Sequence, residues 1–177
     1  MNIIEIIVFI LFSICLVYIS WNFSIRKKRY HGIPRFFAFE GIFLLVVLNY
    51  INWFKDPFSV IQIITWILLI TSAIIAFLGF YLLYKRGRPD GQIENTTNLI
   101  TTGIYKYIRH PIYSSVIPGV FGILLKDIGF IQILLTIIIF VALVITAKVE
   151  EKEMIKKFGL EYEDYIKKTK MFIPFVY

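Results

Sequence analysis

Apolar residues run through this chain in long blocks, not in the short alternations of water-soluble strands and helices. Residues 3–23, 36–54 and 58–84 each approach or exceed the roughly 20 apolar residues a bilayer-crossing helix needs. The third block is long enough to tilt or to protrude. A polar stretch follows, "KRGRPDGQIENTTNLITTGIYKYIRH", and then two further apolar runs, "PIYSSVIPGVFGILL" and "IGFIQILLTIIIFVALVITAK". Only Lys126 and Asp127 separate these runs, so they form an antiparallel helix pair. The pattern predicts an all-α, polytopic membrane bundle of about five transmembrane helices.

The last segment, "VEEKEMIKKFGLEYEDYIKKTKMFIPFVY", changes period. Met154, Ile155, Phe158, Tyr162, Tyr165 and Ile166 share one helical face, and Lys152, Lys156, Glu163 and Lys167 take the other. Such amphipathic helices lie on the membrane or fold over the bundle. Gly159 ends one helical piece, and Glu161 favours the start of the next.

Composition agrees with a lipid solvent. Of 177 residues, 58% are hydrophobic and seventeen are Phe, more apolar surface than a soluble core of this size buries. The first apolar run lacks a basic leader and is longer than a signal-peptide core, so it is expected to be a retained span. Cys15, the only cysteine, lies within it, which excludes an intrachain disulfide or a zinc quartet and leaves the thiol without assigned chemistry. Of the 19 basic residues, 17 fall in alternate loops and only Lys55 and Lys126 in the others. The positive-inside rule then places the N-terminus outside and both the Arg109–His110–Pro111 stretch and the C-terminus in the cytoplasm. The net charge of +7 sits beside span ends, which suits anionic headgroups and not nucleic acid. Lys27, Arg29 and their neighbours are headgroup contacts, and Trp21, Trp53 and Tyr84 belong to the interfacial aromatic belt. No repeat or linker divides the chain, so residues 1–177 are expected to be one domain, with three spans in 1–84 and a cofactor loop, hairpin and tail in 85–177.

Polar residues concentrate around "GIYKYIRHPIYSS". Pro111 holds His110 extended and opens a helix, so Arg109 and His110 lie at a helix N-terminus that favours an anion. The alternative is a headgroup anchor and a helix cap. Glu150 and Glu151 end the last apolar run, where a carboxylate needs water or a cationic partner; Glu153 pairs with Lys157 at i+4. Glu40, four residues into its apolar run, is either an intramembrane functional carboxylate or a snorkelling one. Gly119 and Gly122 are helix-packing positions. Asn49, Asn52 and His31 are expected to make interfacial hydrogen bonds.

With these residues in view, the C-terminal half resembles the isoprenylcysteine carboxyl methyltransferase family of integral membrane enzymes, relatives of the phospholipid N-methyltransferases. The resemblance covers roughly residues 97 to 174 and rests on "LITTGIYKYIRHPIY", an apolar hairpin, "EEKEM", "FGLEYEDY" and "FIP", in that order. It implies S-adenosyl-L-methionine as cofactor, bound at the cytoplasmic face under C-terminal helices, with no metal. It also implies that Thr97, Asn98, Leu99, Ile100, Tyr105, His110, Pro111, Ile112, Tyr113 and Glu151 surround the cofactor. Glu150 and Arg109 are the implied catalytic pair, with Glu150 closing the pocket toward a lipophilic acceptor, either a lipid or a lipidated cysteine. The expected reaction is transfer to a carboxylate. Many members have an arginine where this chain has Thr146, which puts the substrate contact at that position in question. A phospholipid or other N- or S-methyltransferase is the alternative. A sterol-reductase-like NADPH enzyme and a non-enzymatic adaptor are weaker ones.

Overall fold

A computed structural model describes residues 3–23, 25–27, 31–89 and 96–176. Lys28, Arg29 and residues 90–95 of the polar loop lie outside the described residues, as does the side chain of Lys27. Among the described residues six α-helices form: α1 (Ile3–Phe23), α2 (Gly32–Asn49), α3 (Val60–Leu82), α4 (Pro111–Leu124), α5 (Phe130–Phe158) and α6 (Leu160–Lys168). No strand occurs among the described residues, and the protein is an all-helical polytopic bundle. Among the described residues four helical stretches are long and apolar enough to cross a membrane: Ile3–Asn22, Gly32–Asn52, Val60–Gly87 and Phe130–Phe158. The fourth apolar run forms a shorter helix. At 1.5 Å per residue the 14 residues of α4 reach only about 21 Å, short of a ~30 Å hydrocarbon core. α5 is longer than its apolar run, because "EEKEM" continues the same helix for 29 residues until Gly159, at φ +58, ends it.

The chain divides into two compact units, residues 1–69 with 119–146 and residues 70–118 with 147–177. In the first unit, glycines permit close helix approach: a Cβ on Gly41 would come 2.8 Å from the Ile139 side chain, and one on Gly122 3.1 Å from the Thr65 carbonyl. Phe12 stacks on Phe43 with ring centroids 3.8 Å apart. Asn49 is fully buried, not interfacial. Its amide donates to the carbonyls of Ile123 and Asp127, and its side-chain oxygen accepts from Gln132. Lys126 is also buried: its ammonium donates to Gln62 Oε1 at 2.6 Å and to the Trp53 carbonyl, and lies 4.2 Å from the Trp66 ring centre. Trp53 therefore lines a cation cage, its ring centre 5.8 Å from the ammonium. Asn52 contributes its carbonyl to Gln62, and His31 is buried at the start of α2. Glu40 does not snorkel: Ser13, at the midpoint of α1, donates to its Oε1, and its Oε2 has no hydrogen-bond partner among the described residues.

In the second unit, α3 ends in a π-helical turn, Leu83–Gly87, and a small core gathers Leu83, Ile100 and Tyr105. The tail beyond α6 lies alongside residues 107–110. Arg109 N–H donates to the Lys170 carbonyl (2.8 Å), His110 N–H to Met171, and Lys170 N–H to Tyr107. α6 packs on protein, since Tyr162 and Tyr165 are buried. That settles the choice between membrane surface and bundle for this helix.

Candidate functional site

The second unit holds the site, and its local structure follows from the sequence around Pro111. Proline cannot donate a backbone hydrogen bond, which costs nothing in the first turn of α4, and it keeps His110 out of the helical region. Arg109 and His110, just before α4, take the tail's carbonyls as backbone partners, and Ile108 bridges to Lys170. A chain so paired on one side directs the Arg109 and His110 side chains toward α5.

Two adjacent glutamates on α5 meet them. Arg109 Nε donates to Glu151 Oε1 at 2.6 Å, and its Nη1 donates to the carbonyls of Thr169 (2.5 Å) and Ile166 (3.3 Å) at the C-terminal end of α6. The cation thus also offsets the negative end of that helix. His110 stands between the acids: Nε2 is 3.3 Å from Glu151 Oε1, and Nδ1 is 3.7 Å from Glu150 Oε2. Tyr113, one turn into α4, donates its hydroxyl to Glu150 Oε1, and its ring stacks on His110. Both glutamate side chains are only 13% exposed, deep enough for the charges to interact strongly. Arg109, His110, Tyr113, Glu150 and Glu151, forty residues apart in the chain, therefore form one contiguous cluster.

Tyr105 is buried beside it, donating to the Gly79 carbonyl (3.3 Å) and accepting at its own carbonyl from the Tyr165 hydroxyl (2.6 Å). Burial pushes the Tyr105, Tyr162 and Tyr165 phenols above their usual range, and nearby carboxylates add to it. The loop segment is fixed differently: Thr97 and Asn98 donate backbone N–H groups to the Gly87 carbonyl, Leu99 is half-buried, and Ile100 packs into the core. Pro111 is buried and Ile112 half-buried, both within van der Waals reach of Gly79. Thr146 belongs to the other unit, where it is fully buried and its hydroxyl donates to the Ala142 carbonyl. Among the described residues no group of three His, Cys, Asp or Glu side chains could hold a metal.

Three contributors escaped the sequence reading. Ser114, noted there only as a departure from a glycine, donates its hydroxyl to the Phe172 carbonyl and fastens the tail. Gly79 and Gly87 supply close approaches and acceptors, which only their place beside a polar loop could have suggested. A cavity of about 270 Å³ opens on the tail side, lined by Arg109, Ile166, Thr169, Lys170, Met171 and Val176. Of the cluster only Arg109 lines it; His110, Tyr113, Glu150 and Glu151 do not.

In sequence, the chain is 30% identical over 129 residues to methanethiol S-methyltransferase 1 of Bradyrhizobium diazoefficiens; the match covers 68% of this chain and 44% of the relative. The chain thus spans under half of that protein's length. The family model described as phospholipid methyltransferase matches residues 60–161, which include the Arg109–His110 loop and both glutamates of the cluster. With more than half of its length matched in this way, the chain belongs to the phospholipid methyltransferase family of integral membrane methyltransferases.

Proposed function

We propose that this protein transfers a methyl group from S-adenosyl-L-methionine to an apolar small molecule or lipid, as a single domain with its site at the cytoplasmic membrane face. The observation that carries the proposal is the convergence of His110, Tyr113, Glu150 and Glu151 in one buried cluster. Its donor set fits the cofactor. Two carboxylates face one permanent cation, Arg109, so a cationic ligand compensates the remaining charge. His110 and Tyr113 offer ring faces, and the backbone of Thr97–Ile100 offers polar groups for the nucleoside. When bound, S-adenosyl-L-methionine supplies an electrophilic methyl on sulfur, and alignment of the acceptor contributes up to about 7–11 kcal/mol of barrier reduction.

For the acceptor we favour an uncharged thiol or amine over the carboxylate expected from isoprenylcysteine O-methylation. A carboxylate acceptor needs a cation, yet Arg109 is held by Glu151 and two carbonyls, and the Thr146 hydroxyl is used inside its own helix. A thiol or amine instead needs a proton acceptor. Glu150 suits that role: Tyr113 fixes Oε1, while Oε2 lies 3.7 Å from His110 Nδ1. Arg109 is then a positioning residue. The charge asymmetry of the loops supports a cytoplasmic site and an outside N-terminus.

Calorimetry on protein in lipid nanodiscs tests the cofactor assignment. His110→Ala and Glu150→Gln are expected to weaken S-adenosyl-L-methionine binding by about tenfold or more, because the first removes a ring face between the acids and the second a buried carboxylate charge. Unchanged affinity in both variants overturns the site, and binding of NADPH without S-adenosyl-L-methionine favours a reductase. Labelled-methyl incorporation into alkanethiols but not fatty acids supports the acceptor class; the opposite pattern restores a carboxylate.

A further inference from the structure

The tail continues past the cluster and ends in an apolar tip. Ile173, Phe175 and Val176 are 45%, 81% and 71% exposed, and Tyr107 beside them is 46% exposed. Phe175 and Tyr107 pair with ring centroids 6.0 Å apart, and the Lys106 ammonium lies 5.8 Å from the Tyr107 ring. Phe175 has φ +67, a left-handed conformation that a bulky side chain adopts only when the surroundings hold it there. Val176 borders the cavity described above.

We propose that Tyr107, Ile173, Phe175 and Val176 form an interfacial anchor that inserts into the headgroup–acyl boundary of an anionic membrane. Three features select a lipid surface as the occupant. Aromatic and aliphatic side chains side by side with lysines match the composition of the bilayer interface, where rings sit at headgroup level and lysines reach phosphates. Lys106, Lys168 and Lys170 are exposed around the tip, and the nearby Asp164 is taken by Lys167, so the patch is cationic and complements an anionic leaflet. Tyr107 lies four residues before Pro111, where the apolar helix α4 begins, so the patch adjoins an apolar helix along the chain. Docking has a local consequence, because the carbonyls of Lys170 and Met171 in this segment hold the backbone of Arg109 and His110.

The test does not depend on methyl transfer. In a Cys15→Ser background, an environment-sensitive fluorophore on Val176→Cys, and separately on Ile173→Cys, is followed in nanodiscs of phosphatidylcholine with or without phosphatidylglycerol, each with and without acyl-brominated lipid. The expected result is bromine quenching at both positions, stronger with phosphatidylglycerol and weakened by Lys106→Gln with Lys170→Gln. Absence of bromine quenching in both compositions overturns the anchor. So does protection from aqueous iodide without bromine quenching, which would mean that a second copy or another protein covers the tip. Quenching indifferent to phosphatidylglycerol and to the lysine changes overturns the anionic-surface assignment.

Discussion

Replacing Arg109 by lysine isolates the physical role of its guanidinium. Three donors from one planar group reach Glu151, Thr169 and Ile166 at once, with the Arg109 side chain 9% exposed. A lysine ammonium on a flexible stem retains Glu151 but cannot also span two carbonyls at the end of α6. Charge-assisted bonds contribute about 1.5–3 kcal/mol each, less for the longer one, so the tail should lose about 2–4 kcal/mol of local stability. Hydrogen exchange reads this directly, because the Lys170 N–H is bonded to the Tyr107 carbonyl at 3.0 Å. At about 1.4 kcal/mol per tenfold, Lys170 exchange should accelerate by roughly 30- to 900-fold in Arg109→Lys. Arg109→Met should be worse, since Glu151 is left buried with only His110, a loss on the order of 3–5 kcal/mol. Lys170 exchange unchanged in both variants would refute the assignment of Arg109 as the clasp between tail and α5.

Alkaline stability is the next expectation. The unfolded chain releases tyrosine protons near pH 10, whereas the buried Tyr105, Tyr162 and Tyr165 retain theirs. Stability is therefore complete below about pH 10 and falls above it by about 1.4 kcal/mol per pH unit for each of the three. Phenolate absorbance should rise together with loss of helical circular dichroism, and Tyr105→Phe should reduce the slope by one proton; an unaltered slope counts against burial as the cause. Gly103→Ala should lower the melting temperature more than Gly159→Ala. Both glycines have positive φ, which strains an alanine, but only at Gly103 would the new methyl also come 2.5 Å from Leu82. Lys126→Met should destabilise the first unit by about 2 kcal/mol through the lost ring contact and the stranded Gln62 oxygen, measured by denaturation in mild detergent.

Hydrophobic blocks made the helices legible because block length alone distinguishes a membrane span. Their ends were less so. Residues 32–35 join α2 although Gly, Pro and Arg break the apolar run there, since Pro34 is tolerated in a first turn. "EEKEM" reads as the start of a surface helix, yet it extends α5, because charge alone does not stop a helix and Gly159 does. Within the cluster, proline before a helix and paired acids after a span were readable, and the structure brings both to His110. The occupation of Arg109 by backbone carbonyls was not. Such bonds depend on where the tail returns, which side-chain identity does not encode, and the same holds for Ser114 and Phe172. Asn49 misled for a related reason: near a span end, polarity alone cannot tell an interfacial residue from one buried in a polar knot.

The pairing of Ser13 with Glu40 bears on how α1 finds its rotational setting. Ser13 is ten residues from either end of α1, about 15 Å of helix, so the acid meets it near mid-membrane. The rest of α1 is almost wholly aliphatic or aromatic and scarcely buried, and such faces are interchangeable against lipid. This hydroxyl therefore sets the azimuth of α1 together with the Phe12–Phe43 stack and the bond from the Tyr50 hydroxyl to Glu5, and its loss would leave a stranded acid that favours ejection of α1 or its degradation during biogenesis over a small loss of affinity between two helices.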